Sequence, residues 1–381
     1  MGRKKLEDLS EQELLDRQID DAFSTDDVGV LTKDMKKLLK EHKMGRDEMR
    51  FLVDTYYQLQ QKRIATQGQI RSIEQNADES PDSTHQILTW YFDKQYSMEK
   101  SVLKMLDIAT GMSPTGRWMK ATMGIGPALS ASLLSMFDIS KGATSAGHFH
   151  SYAGLNDNIC PRIGSDKAKK IIAEAVEEGG LTEETLAKTF AKYGRTWSRV
   201  AHKCYVKDKN GNPKKFKDGY HLSQAEAVKA LSYIPYNANL KKTCWLVSQQ
   251  FLKLINNPKS KYGKILTERR IYETEKNERG EYREQAEKAL REKNYTKGTD
   301  TYNSLIEGKL SAGQILARAE RYAVKIFISH LFECMYIEYY GIKSYEDLPV
   351  PYAIAYLDHT DYILPEVPYS DVFPGYVDRP C

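Results

Sequence analysis

One short turn, Gly124-Ile125-Gly126-Pro127, constrains the fold of this chain most, because it fixes where one helix ends and the next begins. Proline suits the first position of a helix, since the N–H that it lacks would be unpaired there anyway. Small and apolar residues then recur at helical spacing: Ala128, Ala131, Leu133 and Leu134. The pattern predicts a helix-hairpin-helix, with a first helix that ends at Met123 and a second that begins at Pro127.

The two glycines of this turn indicate what the hairpin contacts. Because they lack side chains, they let backbone N–H groups approach a nucleic-acid phosphate at the positive end of a helix. An ordinary helical turn is the alternative, since Gly-x-Gly alone is common. We expect contacts with the DNA backbone from five residues of the hairpin: Arg117, Lys120, Gly124, Ile125 and Gly126.

Length and composition predict a soluble globular protein of two or three domains, with 381 residues, 41% hydrophobic and 28% charged. No run approaches the ~20 apolar residues of a membrane span. The N-terminus lacks the apolar core of a secretory signal, so a cytoplasmic location in a bacterial host is expected. The five cysteines form no C-x-x-C pair, so neither a zinc site nor a disulfide framework is predicted, and no cofactor is expected.

The formal charge is +4, from 56 basic and 52 acidic residues. That balance does not mark a nucleic-acid binder, because phosphate binding needs local basic patches. Two such patches occur, one around residues 167–170 and one around residues 207–217. From the first patch we expect DNA contacts from Lys167, Lys169 and Lys170.

Hydrophobic periodicity predicts a mainly α-helical fold. The N-terminal region, residues 1–110, is expected to hold a helix at 34–42 and an antiparallel pair at about 46–75 and 83–110. The predicted apolar stripe of the pair is Met49, Leu52, Val53, Tyr56, Leu59, Ile64, Ile70, Ile87, Leu88, Tyr91, Met98, Leu103, Leu106 and Ile108. The pair is either a coiled-coil dimerisation arm or a layer that covers the hairpin module, residues 111–156.

Residues 157–235 look like an inserted module. Two short helices around Gly194 predict a helix-turn-helix, whose second helix carries Arg199 and Lys203. A basic stretch with Asn210-Gly211 at its tip follows, and Asn-Gly strongly indicates a β-hairpin. With Lys214 and Lys215 this hairpin would resemble a DNA-binding wing. The alternative is a small helical insertion with a solvated lysine loop.

The C-terminal region, residues 236–344, returns to apolar helices. Core positions are expected at Trp245, Leu246, Phe251, Leu252 and Ile255, and a buried helix is expected from Lys309 to Tyr340. The polar stretch from Tyr262 to Lys293 predicts a solvated projecting helix, or one that packs on a partner. Residues 345–381, rich in Pro and Tyr, predict an extended tail laid over the helices.

Several of these segments carry a family resemblance. Gly124-Ile-Gly-Pro, Phe137-Asp-Ile-Ser and Tyr152-Ala-Gly-Leu, followed by Asn239-Leu-Lys-Lys-Thr-Cys-Trp, resemble the second domain of insertion-sequence transposases that pair a RuvC-like domain with a serine-bearing domain. More broadly, Phe51-Leu-Val-Asp-Thr-Tyr-Tyr, Gly116-Arg-Trp, Pro235-Tyr-Asn-Ala-Asn-Leu-Lys, Tyr262-Gly-Lys-Ile and Arg318-Ala-Glu-Arg-Tyr-Ala-Val-Lys are similar to transposase-like proteins of phages and mobile elements.

The transposase resemblance implies a serine nucleophile shortly after the Ala-Gly-Leu helix end, and Ser165 is the residue that matches it. Lys167, Lys169 and Lys170 would stabilise charge on the transferring phosphoryl group. The alternative is that Ser165 caps the helix that follows. The family's nuclease-like domain has no counterpart in the pattern, since the first 110 residues read as helix and the four candidate carboxylates lie in a polar arm: Asp20, Asp21, Asp26 and Asp27.

The sequence therefore predicts a mainly α-helical DNA-binding protein of a phage or mobile element, acting in recombination, transposition or phage DNA metabolism. Its expected partner is duplex or branched DNA, with RNA and a second copy of the chain as further candidates and no membrane. An active serine recombinase that uses Ser165 is the first alternative. A helical interaction protein that does not bind DNA is the second.

Overall fold

The computed structural model describes residues 44–76, 83–156, 161–351, 354 and 362–380. In these ranges the chain forms 14 α-helices and one two-stranded sheet, which confirms the prediction of a mainly α-helical fold. The chain divides into two compact units, one of residues 1–146 with 243–381 and one of residues 147–242. The predicted insertion, 157–235, falls within the second unit. The predicted helix at 34–42 lies outside the described residues.

The helices of the first unit precede and follow the second unit in the chain. They are α1 (Arg46–Asn76), α2 (Ser83–Gly111), α3 (Pro114–Ala121), α4 (Pro127–Met136), α11 (Lys261–Glu278), α12 (Arg283–Glu292), α13 (Asp300–Ile306) and α14 (Ala312–Tyr340). The unit boundaries fall within α5 (Ala146–Tyr152) and near the start of α10 (Ala238–Lys253). The second unit contains α6 (Ser165–Gly179), α7 (Glu183–Lys192), α8 (Trp197–Cys204), β1 (Lys215–Phe216), β2 (Gly219–Tyr220) and α9 (Gln224–Ser232). No helix in the described ranges is long and apolar enough to cross a membrane.

The α1–α2 pair forms the predicted antiparallel hairpin, but only part of the predicted stripe is buried. Near α4 the two helices share an apolar cluster that includes Val53, Leu106 and Ala131. Farther along, polar groups occupy the interface: Arg63 forms an ion pair with Glu99 at 2.5 Å, and Thr66 bonds Gln95 at 3.1 Å. Four residues predicted for the buried stripe are exposed instead: Ile64, Ile87, Tyr91 and Met98.

Helix α14 forms the centre of the first unit. Ser311 and Gln314 form a capping box at its start, and Gly341 ends it with a φ of 66°. Phe327 of this helix stacks on Trp118 of α3 at 5.7 Å between ring centroids. Trp118 is fully buried. The C-terminal segment also contacts it, since the Trp118 Nε1 donates a hydrogen bond to the Val367 carbonyl at 2.9 Å. The predicted extended tail is thus observed for residues 362–380.

Two predictions about the C-terminal helices are wrong. The polar segment that begins at Tyr262 does not project: α11 packs on α14, and Tyr262 is fully buried. The buried charge of α11, Glu273, is compensated because its carboxylate accepts hydrogen bonds from Arg269, Tyr282 and Arg318. Trp245, predicted in the core, is 55% exposed on α10.

The second unit has a core of its own. Helices α6, α7 and α9, the end of α8 and the residues just before α6 contribute its buried side chains: Ile163, Ala168, Ile172, Leu186, Phe190, Cys204, Ala227, Ala230 and Leu231. Thr182 caps α7 and Ser223 caps α9 through their side-chain oxygens. These caps satisfy backbone N–H groups at the starts of both helices.

Candidate nucleic-acid interface

The helix-hairpin-helix is present, although its first helix is shorter than predicted. Ser113 caps α3 by accepting a hydrogen bond from the Gly116 N–H at 2.9 Å. The helix ends at Ala121 instead of Met123, and Thr122 is its C-terminal cap. Pro127 opens α4 at its first position, as predicted, with Gly126 as the N-terminal cap.

The two glycines of the turn have different surroundings. Gly124 has a φ of 87°, and a Cβ there would lie 2.9 Å from the Leu254 Cδ1 atom, so this glycine permits close packing within the protein. A Cβ on Gly126 would meet nothing within 4 Å. Both glycines are exposed, but only at Gly126 would an added side chain meet no protein atom.

An internal carboxylate already binds the hairpin. Glu366 accepts a hydrogen bond from the Met123 N–H at 2.6 Å and another from the Lys261 N–H at 2.9 Å. The second donor is at the first residue of α11, where the helix dipole favours a negative charge. Glu366 thus binds the residue before the turn and the start of α11, and not the start of α4, where the sequence predicted a phosphate.

The other hairpin residues predicted at the DNA backbone are also engaged inside the protein. Lys120 pairs with Asp107 at 2.8 Å and donates to the Asp107 carbonyl. Arg117 donates to the Gly111 carbonyl at 3.2 Å, and Ile125 is only 3% exposed. Of the five hairpin residues predicted at the DNA backbone, the two glycines are the ones that the structure leaves exposed.

The two units differ strongly in formal charge, although the net charge of the whole chain is only +4. Residues 147–242 hold 17 Lys and Arg against 10 Asp and Glu, a formal charge of +7. The rest of the chain holds 39 against 42, a formal charge of −3. A basic unit of this kind attracts polyanions, because phosphate neutralisation supplies most of the affinity for nucleic acids.

The first basic patch lies at the start of α6. Lys167, Lys169 and Lys170 are exposed, whereas Ala168 between them is buried in the core of the unit. Gly164 is the N-terminal cap of α6, without a side-chain cap bond, so the prediction that Ser165 caps this helix is wrong. Ser165 is the first residue of the helix and its side chain is exposed. The described residues contain no cluster of three or more metal-ligating side chains.

The predicted helix-turn-helix corresponds to α7 and α8, with Gly194 in the turn at a φ of 68°. Trp197 at the start of α8 packs edge-on against Phe190 at 5.9 Å, in agreement with its predicted core role. Arg199 is exposed on α8. Lys203 is half-buried, with its ammonium 4.1 Å from the centre of the Tyr233 ring.

Residues 205–222, which we name the ribbon, form the predicted basic β-structure with two turns instead of one. A bridge between Lys207 and Pro213 closes the Asn210-Gly211 turn, as predicted. The paired strands β1 and β2 flank a second turn, and a further bridge joins Tyr205 to Leu222. The second turn was not predicted, because Lys217-Asp218-Gly219 lies within a lysine-rich run whose composition is typical of a loop.

The lysines of the ribbon fall into two groups. Lys207 pairs with Glu226 at 2.8 Å, and Lys214 lies 4.9 Å from the centre of the Phe216 ring. The side-chain hydrogen bond from Lys207, with one from Lys229, lowers the pKa of Glu226. Lys209, Lys215 and Lys217 are exposed, and no carboxylate of the described residues pairs with them.

Two tyrosines stack on the ribbon. The rings of Tyr205 and Tyr220 lie 5.2 Å apart and 29° from parallel, and Tyr220 is 51% exposed. The Tyr205 hydroxyl donates to Glu183 at 2.7 Å, and this bond raises the pKa of Tyr205 to about 12. No local pattern in the sequence indicates this stack, because it joins residues 15 positions apart through the strand pairing.

Two segments that carry the transposase resemblance meet within the second unit. The Asn237 N–H donates to the Tyr152 carbonyl at 2.9 Å, and the Asn237 side chain donates to the Tyr152 hydroxyl at 3.1 Å. Gly154 lies against the Tyr236 ring, where a Cβ would come within 2.7 Å of ring carbons. Comparisons of this chain with protein-family models, curated proteins and solved structures gave no significant match. The resemblance therefore rests on these residues alone.

Proposed function

We propose that this protein binds DNA through its basic unit, residues 147–242, as part of the DNA transactions of a phage or other mobile element. The observation that carries the proposal is the charge of +7 on this unit, with three ribbon lysines that no carboxylate of the described chain neutralises. The similarity to transposase-like proteins supports the mobile-element context. Arg199 on α8 and the lysines at the start of α6 supply further cations.

The placement of DNA contacts in the basic unit differs from the one that the sequence favoured. Two of the cationic groups of the hairpin, Lys120 and Arg117, already have partners within the first unit. Recruiting them to a phosphate would require breaking the ion pair with Asp107 or the bond to a helix-end carbonyl. The exposed ribbon lysines carry no such cost, so we place the main electrostatic contacts there.

The proposal is tested by replacing Lys209, Lys215 and Lys217 together with Gln in the full chain and measuring DNA affinity across a salt series. Each phosphate contact contributes about 0.9 to the slope of log affinity against log salt on duplex DNA. The triple variant should therefore show a slope shallower by about 2 to 3, together with weaker binding at every salt concentration.

A matched control replaces three exposed lysines of the first unit, Lys253, Lys264 and Lys288, with Gln, which removes the same total charge. The control should keep the wild-type slope, because its lysines lie outside the basic unit. Identical slopes for the wild-type protein and the ribbon variant would exclude the ribbon. Failure of the wild-type protein to bind any DNA at low salt would refute the proposed function.

A serine recombinase is the second candidate, and one observation favours it. The Ser165 hydroxyl is not used as a helix cap, and it is exposed within about one and a half helical turns of Lys167, Lys169 and Lys170. Such a serine would form a phosphodiester with DNA while a DNA hydroxyl leaves. Incubation with nicked and branched DNA, followed by denaturing electrophoresis, would show the covalent species as a shifted band that Ser165→Ala abolishes. A DNA-binding protein without this activity gives no band.

A further inference from the structure

We propose that the basic unit binds single-stranded DNA, and that a base of the strand stacks on the exposed face of Tyr220. This inference rests on the proposed function, because it names the form of DNA that the ribbon takes. It depends on the geometry of Tyr220 and its neighbours, which charge alone does not supply.

The second unit exposes one type of large hydrophobic side chain, tyrosine. Among its described residues the large hydrophobic side chains that are exposed are Tyr152, Tyr220 and Tyr233. The first unit exposes a different mixture that includes Phe51, Ile87 and Trp90. Aromatic rings beside cations are the combination with which proteins hold single strands, because every base offers a flat face and every nucleotide offers a phosphate.

Tyr220 is held ready for such stacking. Tyr205 covers one face of its ring, at 5.2 Å between centroids, and Tyr205 is itself fixed by its hydrogen bond to Glu183. The ring of Tyr220 therefore cannot turn freely, while about half of its surface stays open. A base that stacks on the open face extends the pair into a row of three rings, and little side-chain freedom is lost on binding.

A lysine lies directly across the strand pair from Tyr220. In the register of the ribbon Lys215 is the cross-strand partner of Tyr220. Directly opposite residues of an antiparallel pair point to the same face, with Cβ atoms about 5 Å apart. The neighbouring pair, Phe216 and Gly219, points to the other face, where Lys214 and His221 already lie against the Phe216 ring. Only one face of the ribbon thus offers an open ring beside an unpaired ammonium.

Duplex DNA does not fit this arrangement. Its bases are stacked on one another inside the helix, so a surface tyrosine reaches only the sugar-phosphate edge. A single strand can present an unstacked base to Tyr220 while its phosphate meets Lys215. Loss of the ring should therefore weaken single-strand binding selectively, whereas loss of the ammonium should weaken binding to both forms.

The experiment measures fluorescence anisotropy of the full-length protein with a labelled oligodeoxythymidylate of about 16 nucleotides and with a duplex of equal length. Tyr220→Ala should weaken the single-strand complex by about 5- to 150-fold, the range of one base stacked on one aromatic ring. Its affinity for the duplex should be unchanged. Tyr220→Phe should bind like the wild type, because stacking needs the ring and not the hydroxyl. Tyr339→Ala, which removes an exposed tyrosine of the first unit, is the matched control and should have no effect.

Tyr220→Leu guards against a folding defect, because leucine keeps an apolar side chain on β2 and removes only the flat ring. If this variant keeps the circular dichroism of the wild type and loses single-strand affinity, stacking is supported. Equal losses on both DNA forms, or no loss on the single strand, would overturn the inference and leave salt-dependent DNA binding intact. Absence of binding by the wild-type protein to either probe would instead overturn the proposed function.

Discussion

Glu366 gives the sharpest test of whether the helix-hairpin-helix of this protein is a structural element or a phosphate site. Its carboxylate joins the Met123 N–H of the hairpin to the Lys261 N–H at the start of α11. Glu366→Gln keeps the shape of the side chain and one carbonyl oxygen. It removes the charge and turns an N–H donor toward one of the two backbone donors.

The magnitude follows from these two bonds. A hydrogen bond to a charged group contributes about 1.5 to 3 kcal/mol, and the variant loses the charge from both bonds and one acceptor outright. Glu366 is half-buried, so water satisfies part of what is lost, and we expect a cost of about 2 kcal/mol. For a folding unit of this size the midpoint of thermal unfolding should fall by roughly 4 to 8 °C.

The assay pairs urea unfolding, followed by circular dichroism, with DNA affinity measured at fixed salt. Glu275→Gln, at an exposed position of α11, removes the same charge and should leave the stability unchanged. We expect Glu366→Gln to be less stable and to bind DNA like the wild type. A variant that binds DNA more tightly would refute our reasoning, since it would mean that Glu366 occupies a phosphate site of the hairpin.

Three further variants test the first unit by its unfolding free energy. Burial lowers the pKa of His330 to about 4, so the wild type should lose about 3 kcal/mol of stability as the pH falls from 6.5 towards 4, whereas His330→Gln, which has no proton to gain, should not show this loss; parallel pH profiles would contradict this. Glu273→Gln should cost about 2 kcal/mol in urea unfolding, because Arg269, Arg318 and Tyr282 lose a buried charged acceptor, and a neutral result would show that the network is dispensable. Gly124→Ala should cost about 1 to 2 kcal/mol through strain against Leu254, whereas Gly126→Ala, its matched control in open space, should be close to neutral.

Local signals in the sequence were sufficient for much of the fold. Pro127 and the glycines placed the hairpin, and Asn210-Gly211 placed the first ribbon turn, because each of these residues restricts its own backbone. The burial predicted for Tyr91 and Met98 of α2 was wrong, since a periodicity argument assumes that apolar residues face the protein interior. In the outer part of the α1–α2 hairpin a polar pair, Thr66 and Gln95, is buried instead.

The candidate site was predicted less completely. The basic patches were visible as runs of lysine, but nothing local showed that Lys207 is neutralised while Lys215 is not. That difference arises from Glu226, which α9 brings to the ribbon. The carboxylate at the hairpin was equally invisible, because Glu366 lies 243 positions from Met123. Side chains brought together from distant positions leave no periodic trace.

The division of the first unit into two stretches of sequence sets an order for its formation during synthesis. Trp118 emerges from the ribosome long before Phe327 and Tyr369, the two rings that lie against it. The core around Trp118 is therefore incomplete until the last part of the chain has been made. Residues 147–242 form one continuous stretch, and this unit can fold as soon as it is extruded. A nascent chain halted near residue 300 would thus present a finished basic unit beside an unfinished scaffold. The DNA contact that we propose for this unit could then begin before translation ends.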